Sequence, residues 1–296
     1  MELRQPIAVV VTAALSCLLT GGLAFGFSAL IPRLERDGAF REDCHEKHPC
    51  HAQRMHLIWV FTAGISASGL STLPQGILID SLGPKASGLA FGTAVAVGCA
   101  LFSLGGLWEH AYITGFVLLA VGGSGVYVSA LSFGNLFPRH AGFVAAIFVG
   151  CFDASMVIFQ VLSLLISLGL RVSTIFRAYA LLSALLAAAA GLLWPAAPVA
   201  GKNRESHEEP EGDGFWSKLQ SLDFVLFAFT VIVDVLCVNF FLATVWPRLR
   251  SVAPDDAKML NSSLAVLLPA GAILFVPLLG YLLGQLGPAA GFLALN

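Results

Sequence analysis

The sequence predicts an all-α, polytopic membrane protein of about eight transmembrane helices, with a six-helix N-terminal half and an incomplete C-terminal half. Three observations predict it. Of 296 residues, 57% are hydrophobic and only 11% charged, against roughly a quarter charged in a soluble domain. The apolar residues come in blocks of about 20 to 29, each long enough to cross a ~30 Å hydrocarbon core as a helix. The ten-residue alternation of an outer-membrane barrel is absent. Finally, two short phrases recur in the same order, which is the mark of a duplicated half.

The first block follows only MELRQP and spans roughly residues 7 to 32, longer than the ~7–15 apolar residues of a signal-peptide core, so it reads as a retained helix. Further spans fall at roughly 56–80, 86–107, 111–137, 141–169, 172–194, 222–247 and 259–283. After the sixth, PAAPVAGKNRESHEEPEGDG is rich in Pro, Gly and charge and cannot bury a core. The predicted organisation is therefore a six-helix bundle over 1–194, a linker over 195–221, and a partial second bundle over 222–296 holding helices seven, eight and the opening of a ninth.

The recurring phrases sit at helix ends. Helix one ends in IPRLER (Ile31 to Arg36) and helix seven in WPRLRS (Trp246 to Ser251). Helix two ends in GILIDSLGPK (Gly76 to Lys85) and helix eight in GYLLGQLGPA (Gly280 to Ala289), which keeps the Gly-Pro turn and lacks the Asp and Lys. The offsets, 215 and 204 residues, differ by 11, so the first loop carries an insertion of that length. An ending so soon after the second copy is expected of about two-thirds of a twelve-helix transporter.

Charge says little about partners. A net charge of −2 implies neither nucleic acid nor an anionic surface, leaving the lipid bilayer and a small solute as expected partners, with the oligomeric state open. Counting Lys and Arg in short loops gives six inside against nine outside for an inside N-terminus, which opposes that orientation.

Six helices, a polar linker and a partial second set resemble the major facilitator superfamily. GILIDSLGPK matches that family's loop between helices two and three, Gly-x-Leu-x-Asp-x-x-Gly followed by a basic residue. SFGNLFPRHAGFVAAIFVGCFDASMVIFQ (Ser132 to Gln160) and LPQGILIDSLG are similar to the branch of equilibrative, system L-type large neutral amino-acid transporters and related purine nucleobase transporters. The resemblance covers most of residues 10 to 170. It implies an inside N-terminus, a cytoplasmic linker, a multi-pass protein of the plasma membrane, and uniport of a small, mostly apolar solute by alternating access. It also implies that the Asp80–Lys85 loop latches the two halves in one conformation of the cycle, with Arg139 as a partner.

The residues themselves add candidates. In the motif loop, Gly83 and Pro84 suit a tight turn, Gly76 a close helix approach, and Asp80 hydrogen bonding to orphan amides at a helix N-terminus or pairing with a cation. A plain capped turn is the alternative. Asp153 and Asp234 each lie about 12 residues into a span, roughly 18 Å at 1.5 Å per residue and so near the bilayer midplane. A carboxylate there costs on the order of 3 kcal/mol and should face a cavity or a partner, Arg177 being one that would make Asp153 structural. Gln160 shares the Asp153 face, beside an apolar stripe of Met156 and Val157, and Phe241 shares the Asp234 face. Such a part-polar wall suits an amino-acid-like solute. Helix four adds Tyr127 and Asn135, and helix one adds Gly22 and Phe25 in a glycine-rich run where either local unwinding or ordinary helix packing fits, packing being favoured.

CHEKHPCH (Cys44 to His51) invites a metal reading, but two Cys with five residues between them, around Pro, are not a zinc pattern. A Cys44–Cys50 disulfide in an extracellular loop, or a plain loop, is favoured, and no metal or cofactor is expected. No nucleophile elbow, phosphate-binding Gly-rich loop or HExxH occurs, so nothing points to an enzyme. The expected function is passage of a small solute, large neutral amino acids first. A purine nucleobase facilitator or a non-transporting membrane fragment or assembly subunit are the alternatives.

Overall fold

The computed structural model describes residues 4–44, 50–137, 140–196 and 220–256, with short pieces between 259 and 279. The chain is an all-helical, multi-pass membrane protein, and no strand occurs among the described residues. It divides into two units, Met1–Ala200 with Pro269–Asn296, and Gly201–Leu268.

In the first unit the leading span is not one helix. It is α-helical as α1 (Arg4–Ser16), widens into a π-helical turn over Cys17–Gly21, bends at Gly22 (φ −101°, ψ 15°), and tightens into a 3₁₀ helix over Leu23–Ala29. Pro32 then opens a separate short helix, α2 (Ile31–Asp37), which Gly38 ends in the left-handed conformation.

The next helix, α3 (His51–Phe102), contains 52 residues. A straight helix of that length would measure about 78 Å, more than twice a bilayer core. The conflict is resolved at Gly83, whose φ of 78° and ψ of 166° are not helical and suit only glycine. Residues 51–82 and 84–102 then run past the same stretch of α4 (His110–Leu131) in opposite directions. Gly64 and Gly98 both pack near Gly115–Leu119, and Gln75 and Phe91 both near Val121–Gly125. Two spans therefore occupy α3, with the turn at Gly83-Pro84.

The fifth span is also interrupted. Helix α5 (Ala141–Ser155) stops one residue before α6 (Val157–Ser167), and at the join the Met156 amide donates to the Asp153 carbonyl at 3.3 Å. Helix α7 (Val172–Leu193) closes the bundle along the second arm of α3, where Ala187 meets Gly92. Just beyond it, the Trp194 ring lies on Gly88 and stands edge-on to Phe133, and the Lys85 amide donates to the Pro195 carbonyl at 3.2 Å.

Two buried clusters are stacked along the bundle. One, towards the Cys44 end, is centred on Phe27, Phe102, Phe116, Phe159 and Phe176. The other, towards the N-terminus, is built on Cys17, Phe91, Phe133, Phe148 and Trp194. The breaks in spans one and five lie at the level where the clusters meet.

The Cys44 end is tied down. Cys44 and Cys50 form a disulfide with Cα atoms 6.0 Å apart, and the Cys50 sulfur caps α3 by accepting the Gln53 amide at 3.4 Å. The fully buried Gln53 side chain donates to the carbonyls of Glu35 and Ala39 at 2.9 and 2.6 Å. Arg54 donates to both carboxylate oxygens of Glu35, at 2.7 and 3.1 Å.

In the second unit, α8 (Leu222–Val252) is helical over the residues of the expected seventh span. Ser221 caps it, accepting the Phe224 amide at 3.3 Å. The GYLLGQLGPA phrase and most of the expected eighth span lie outside the described residues, as does most of the linker.

Phe27 has no exposed surface, and its ring centroid lies 4.4 Å from that of Phe116. Phe27→Ala should therefore cost about 3 kcal/mol through the cavity it leaves, read as a lowered unfolding midpoint in mixed micelles.

Candidate functional site

The interrupted stretches of spans one and five face each other, and the site is built where they meet. Leaving a helix in the middle of a bilayer exposes backbone groups that lipid cannot satisfy. Here both sides of the break are met by side chains from other spans. The Gly22 amide donates to Ser155 Oγ at 2.6 Å, and the Tyr179 hydroxyl of α7 donates to the Leu19 carbonyl. The Ser155 hydroxyl in turn donates to the Phe152 carbonyl at 2.6 Å. So close an approach requires glycine: a Cβ at Gly22 would collide with the Phe152 carbonyl oxygen and lie 2.7 Å from Ser155 Oγ.

Aromatic side chains surround this layer. The Phe152 ring lies 4.4 Å from that of Tyr127 on α4 and 5.8 Å, edge-on, from that of Phe25. Phe25 is 44% exposed and Tyr127 half-buried, so both present surface beyond their contact with Phe152. Asp153, half-buried, follows Phe152 directly. Apolar ring faces, a phenol and a carboxylate thus stand together. That combination can take a solute with an apolar body and a polar or cationic head.

The structure brings Gly22, Phe25, Tyr127 and Asp153 together at this level. Gln160 is exposed on α6, beyond the join at Met156. Asn135 is elsewhere: it sits in the 3₁₀ turn Ser132–Leu136 that closes the fourth span, two helical turns or ~12 Å along the axis from Tyr127. Arg177 is exposed. Asp234 and Phe241 stand on α8 in the other unit, both exposed.

In the motif loop, Gly83 forms the turn while Asp80 is exposed. Lys85 contributes its backbone amide to Pro195. Arg139 lies outside the described residues. The close approach expected at Gly76 is corrected: among the described residues, a Cβ there would meet nothing within 4 Å. That helix is held to α4 one residue earlier, where buried Gln75 donates to the Val121 carbonyl and Ser124 Oγ, each at 3.0 Å. Because Cys44 and Cys50 are joined, neither is available as a thiolate ligand. Among the described residues no group of three His, Cys, Asp or Glu could hold a metal ion.

Sequence reasoning missed Phe152, Ser155 and Tyr179. The available signal was the small-residue spacing of Gly22 and Gly26, which asks for a backbone within van der Waals reach. Phe152-Asp153-Ala154-Ser155 offers a small, polar stretch beside a carboxylate already singled out.

Comparison with known proteins bears on what such a bundle is. No family model matches the chain. Protein FMP42 of Saccharomyces cerevisiae is 33% identical over 172 residues, covering 53% of this chain and 33% of that protein. Equilibrative nucleobase transporter 1 of Bos taurus is 26% identical over 194 residues, 57% of this chain and 37% of the transporter. Large neutral amino acids transporter small subunit 3 of Mus musculus is 24% identical over 205 residues, 68% of this chain and 35% of that protein. The chain is thus related to proteins named as membrane transporters, and it spans about a third of the length of the curated relatives it matches.

The glycine contacts separate two positions that look alike in sequence. Gly22→Ala should cost about 1–3 kcal/mol by overpacking against Phe152 and Ser155, whereas Gly76→Ala should leave the unfolding midpoint unchanged or slightly raised. Parallel denaturation of the two variants in micelles checks this.

Proposed function

We propose that the chain forms part of a facilitator that passes large neutral amino acids across the membrane by alternating access, without coupling to protons. The observation that carries this reading is the meeting of Phe25, Tyr127, Phe152 and Asp153 at the broken layer of spans one and five. The aromatic faces would take an apolar side chain and Asp153 the α-ammonium group. Asp234 and Phe241, on the repeat-related helix, and Gln160 and Asn135 are further candidates for contact with the solute. The resemblance of GILIDSLGPK to the major-facilitator loop supports the same reading, with Gly76, Asp80, Gly83, Lys85 and Arg139 as the proposed gating motif. The relation to the mouse amino-acid transporter agrees with it.

A nucleobase cargo is the second reading. The relation to the bovine nucleobase transporter favours it, and so do three aromatic rings on which a planar base could stack. Uptake of radiolabelled leucine and adenine into vesicles containing the chain separates the two. Saturable leucine uptake, unaffected by a protonophore, is the expected result. Asp153→Asn should lower leucine uptake about tenfold or more through loss of the ammonium partner. Saturable adenine uptake alone would shift the reading to the nucleobase, and uptake of neither would leave a non-transporting subunit.

The disulfide bears on orientation. Such bonds persist in oxidising compartments, so the loop between α2 and α3 would face the exterior of the plasma membrane and the N-terminus the cytosol. A membrane-impermeant maleimide should label Cys44 and Cys50 on intact cells only after an impermeant reductant is added outside. Labelling that required permeabilised cells would reverse the orientation.

A further inference from the structure

We propose that Ser155 and Tyr179 are positioning residues that hold the unwound segment of the first span in a releasable bend, and so set where Phe25 stands against Phe152 and Tyr127. Its part in transport rests on the facilitator reading above. Permanent bends in membrane helices are usually built with proline, which removes an amide for good. Residues 17–29, CLLTGGLAFGFSA, contain none. Their bend is held instead by two side-chain hydrogen bonds from different spans, Ser155 on the Gly22 amide and Tyr179 on the Leu19 carbonyl.

The groups that are held are those a straight helix would use. Helical pairing joins the amide of residue 22 to the carbonyl of residue 18, and the carbonyl of residue 19 to the amide of residue 23. Releasing both catches therefore leaves no backbone group without a partner, because each recovers one within its own helix. Ser155 is not orphaned either, since its hydroxyl keeps the Phe152 carbonyl as acceptor. The Gly22 amide and the Leu19 carbonyl thus have a partner in both settings, which a bistable element inside lipid requires of its backbone.

The two settings differ at the site. A 3₁₀ helix turns about 120° per residue and an α-helix about 100°, so straightening rotates Phe25 by roughly 60° relative to Gly22. The ring leaves its edge-on contact with Phe152 and alters the wall beside Tyr127. In the bent setting Gly22 sits directly on the Phe152–Ser155 backbone, so the bend of span one also registers on the interrupted span five.

Hydrogen exchange read by mass spectrometry on the full chain in lipid nanodiscs tests this, with leucine uptake measured on the same variants. Ser155→Ala and Tyr179→Phe should each speed exchange in the peptide covering 17–29 by about threefold to tenfold, as loss of one interhelical hydrogen bond implies. A peptide from 182–193 should stay unchanged as a sign of intact folding. For uptake, Ser155→Ala should raise KM as well as lower the maximal rate, because the bend sets where the Phe25 ring stands in the wall. Unchanged exchange in both variants overturns the proposal. Faster exchange with unaltered uptake overturns the positioning role. Should the wild type take up no leucine or adenine, the transport reading fails, and the exchange result alone decides for or against the releasable bend.

Discussion

A peptide group that leaves its helix inside a bilayer must find another partner within the protein, because lipid offers none and each unpaired group costs several kcal/mol. The first span leaves its helix at Gly22, and the arrangement around it follows from that requirement. Span five must approach closely enough for Ser155 to reach the Gly22 amide, which demands glycine on one side and a small hydroxyl on the other. Tyr179 must come in from α7 to meet the Leu19 carbonyl, which fixes the position of the last span of the bundle. The aromatic pairing of Phe152 with Tyr127 and Phe25 follows once spans one, four and five are drawn together at that level. The break thus lies at the junction of two well-packed clusters.

The two ends of the bundle are held differently from its middle. Towards Cys44, a disulfide, a buried glutamine bonded to two carbonyls and a bidentate ion pair tie α2 and the first arm of α3 into one piece. Towards the N-terminus, Trp194 packs on Gly88 and donates its indole N–H to Thr12 at 3.3 Å, while Pro195 holds the turn at Lys85. Several of these contacts must be lost together before either end loosens. The middle layer is held by single hydroxyl bonds that can be exchanged for helical ones. The proposed releasable bend lies in that layer, between the clusters.

What was legible in the sequence follows from the range of the forces involved. Spans are set by local composition against bilayer thickness, so apolar runs alone locate the helices of the first unit. The turn at Gly83-Pro84 is likewise local, since a glycine of positive φ and a proline determine it from within. The glycine run of helix one could be seen, but whether it unwinds or merely packs depends on Ser155, 133 residues away, and Tyr179, 160 residues from Leu19. Local pattern carries no such information, and ordinary packing was the better guess from spacing alone. Asp153 stood out because a carboxylate in an apolar helix costs free energy by itself. Phe152 and Ser155 beside it cost nothing and drew no notice. Gly76 shows the converse: a glycine at a motif position suggested a close approach, yet Gln75 makes the interhelical contact there.

Asp153 also bears on which solute the proposed site would select. A carboxylate near the midplane raises the free energy of the empty protein by about 3 kcal/mol, and a solute that brings a cation offsets part of that on binding. An amino acid carries an ammonium group for the purpose. A neutral purine does not, and could use the carboxylate only as a hydrogen-bond acceptor, a role that an asparagine carbonyl would fill without the charge. Stacking on Phe25, Phe152 and Tyr127 would favour the purine, but those rings would receive a leucine or phenylalanine side chain as readily, because apolar burial places no demand on planarity. The rings therefore do little to discriminate between the two cargoes. In the proposed site the carboxylate would discriminate, through the ammonium group of the amino acid.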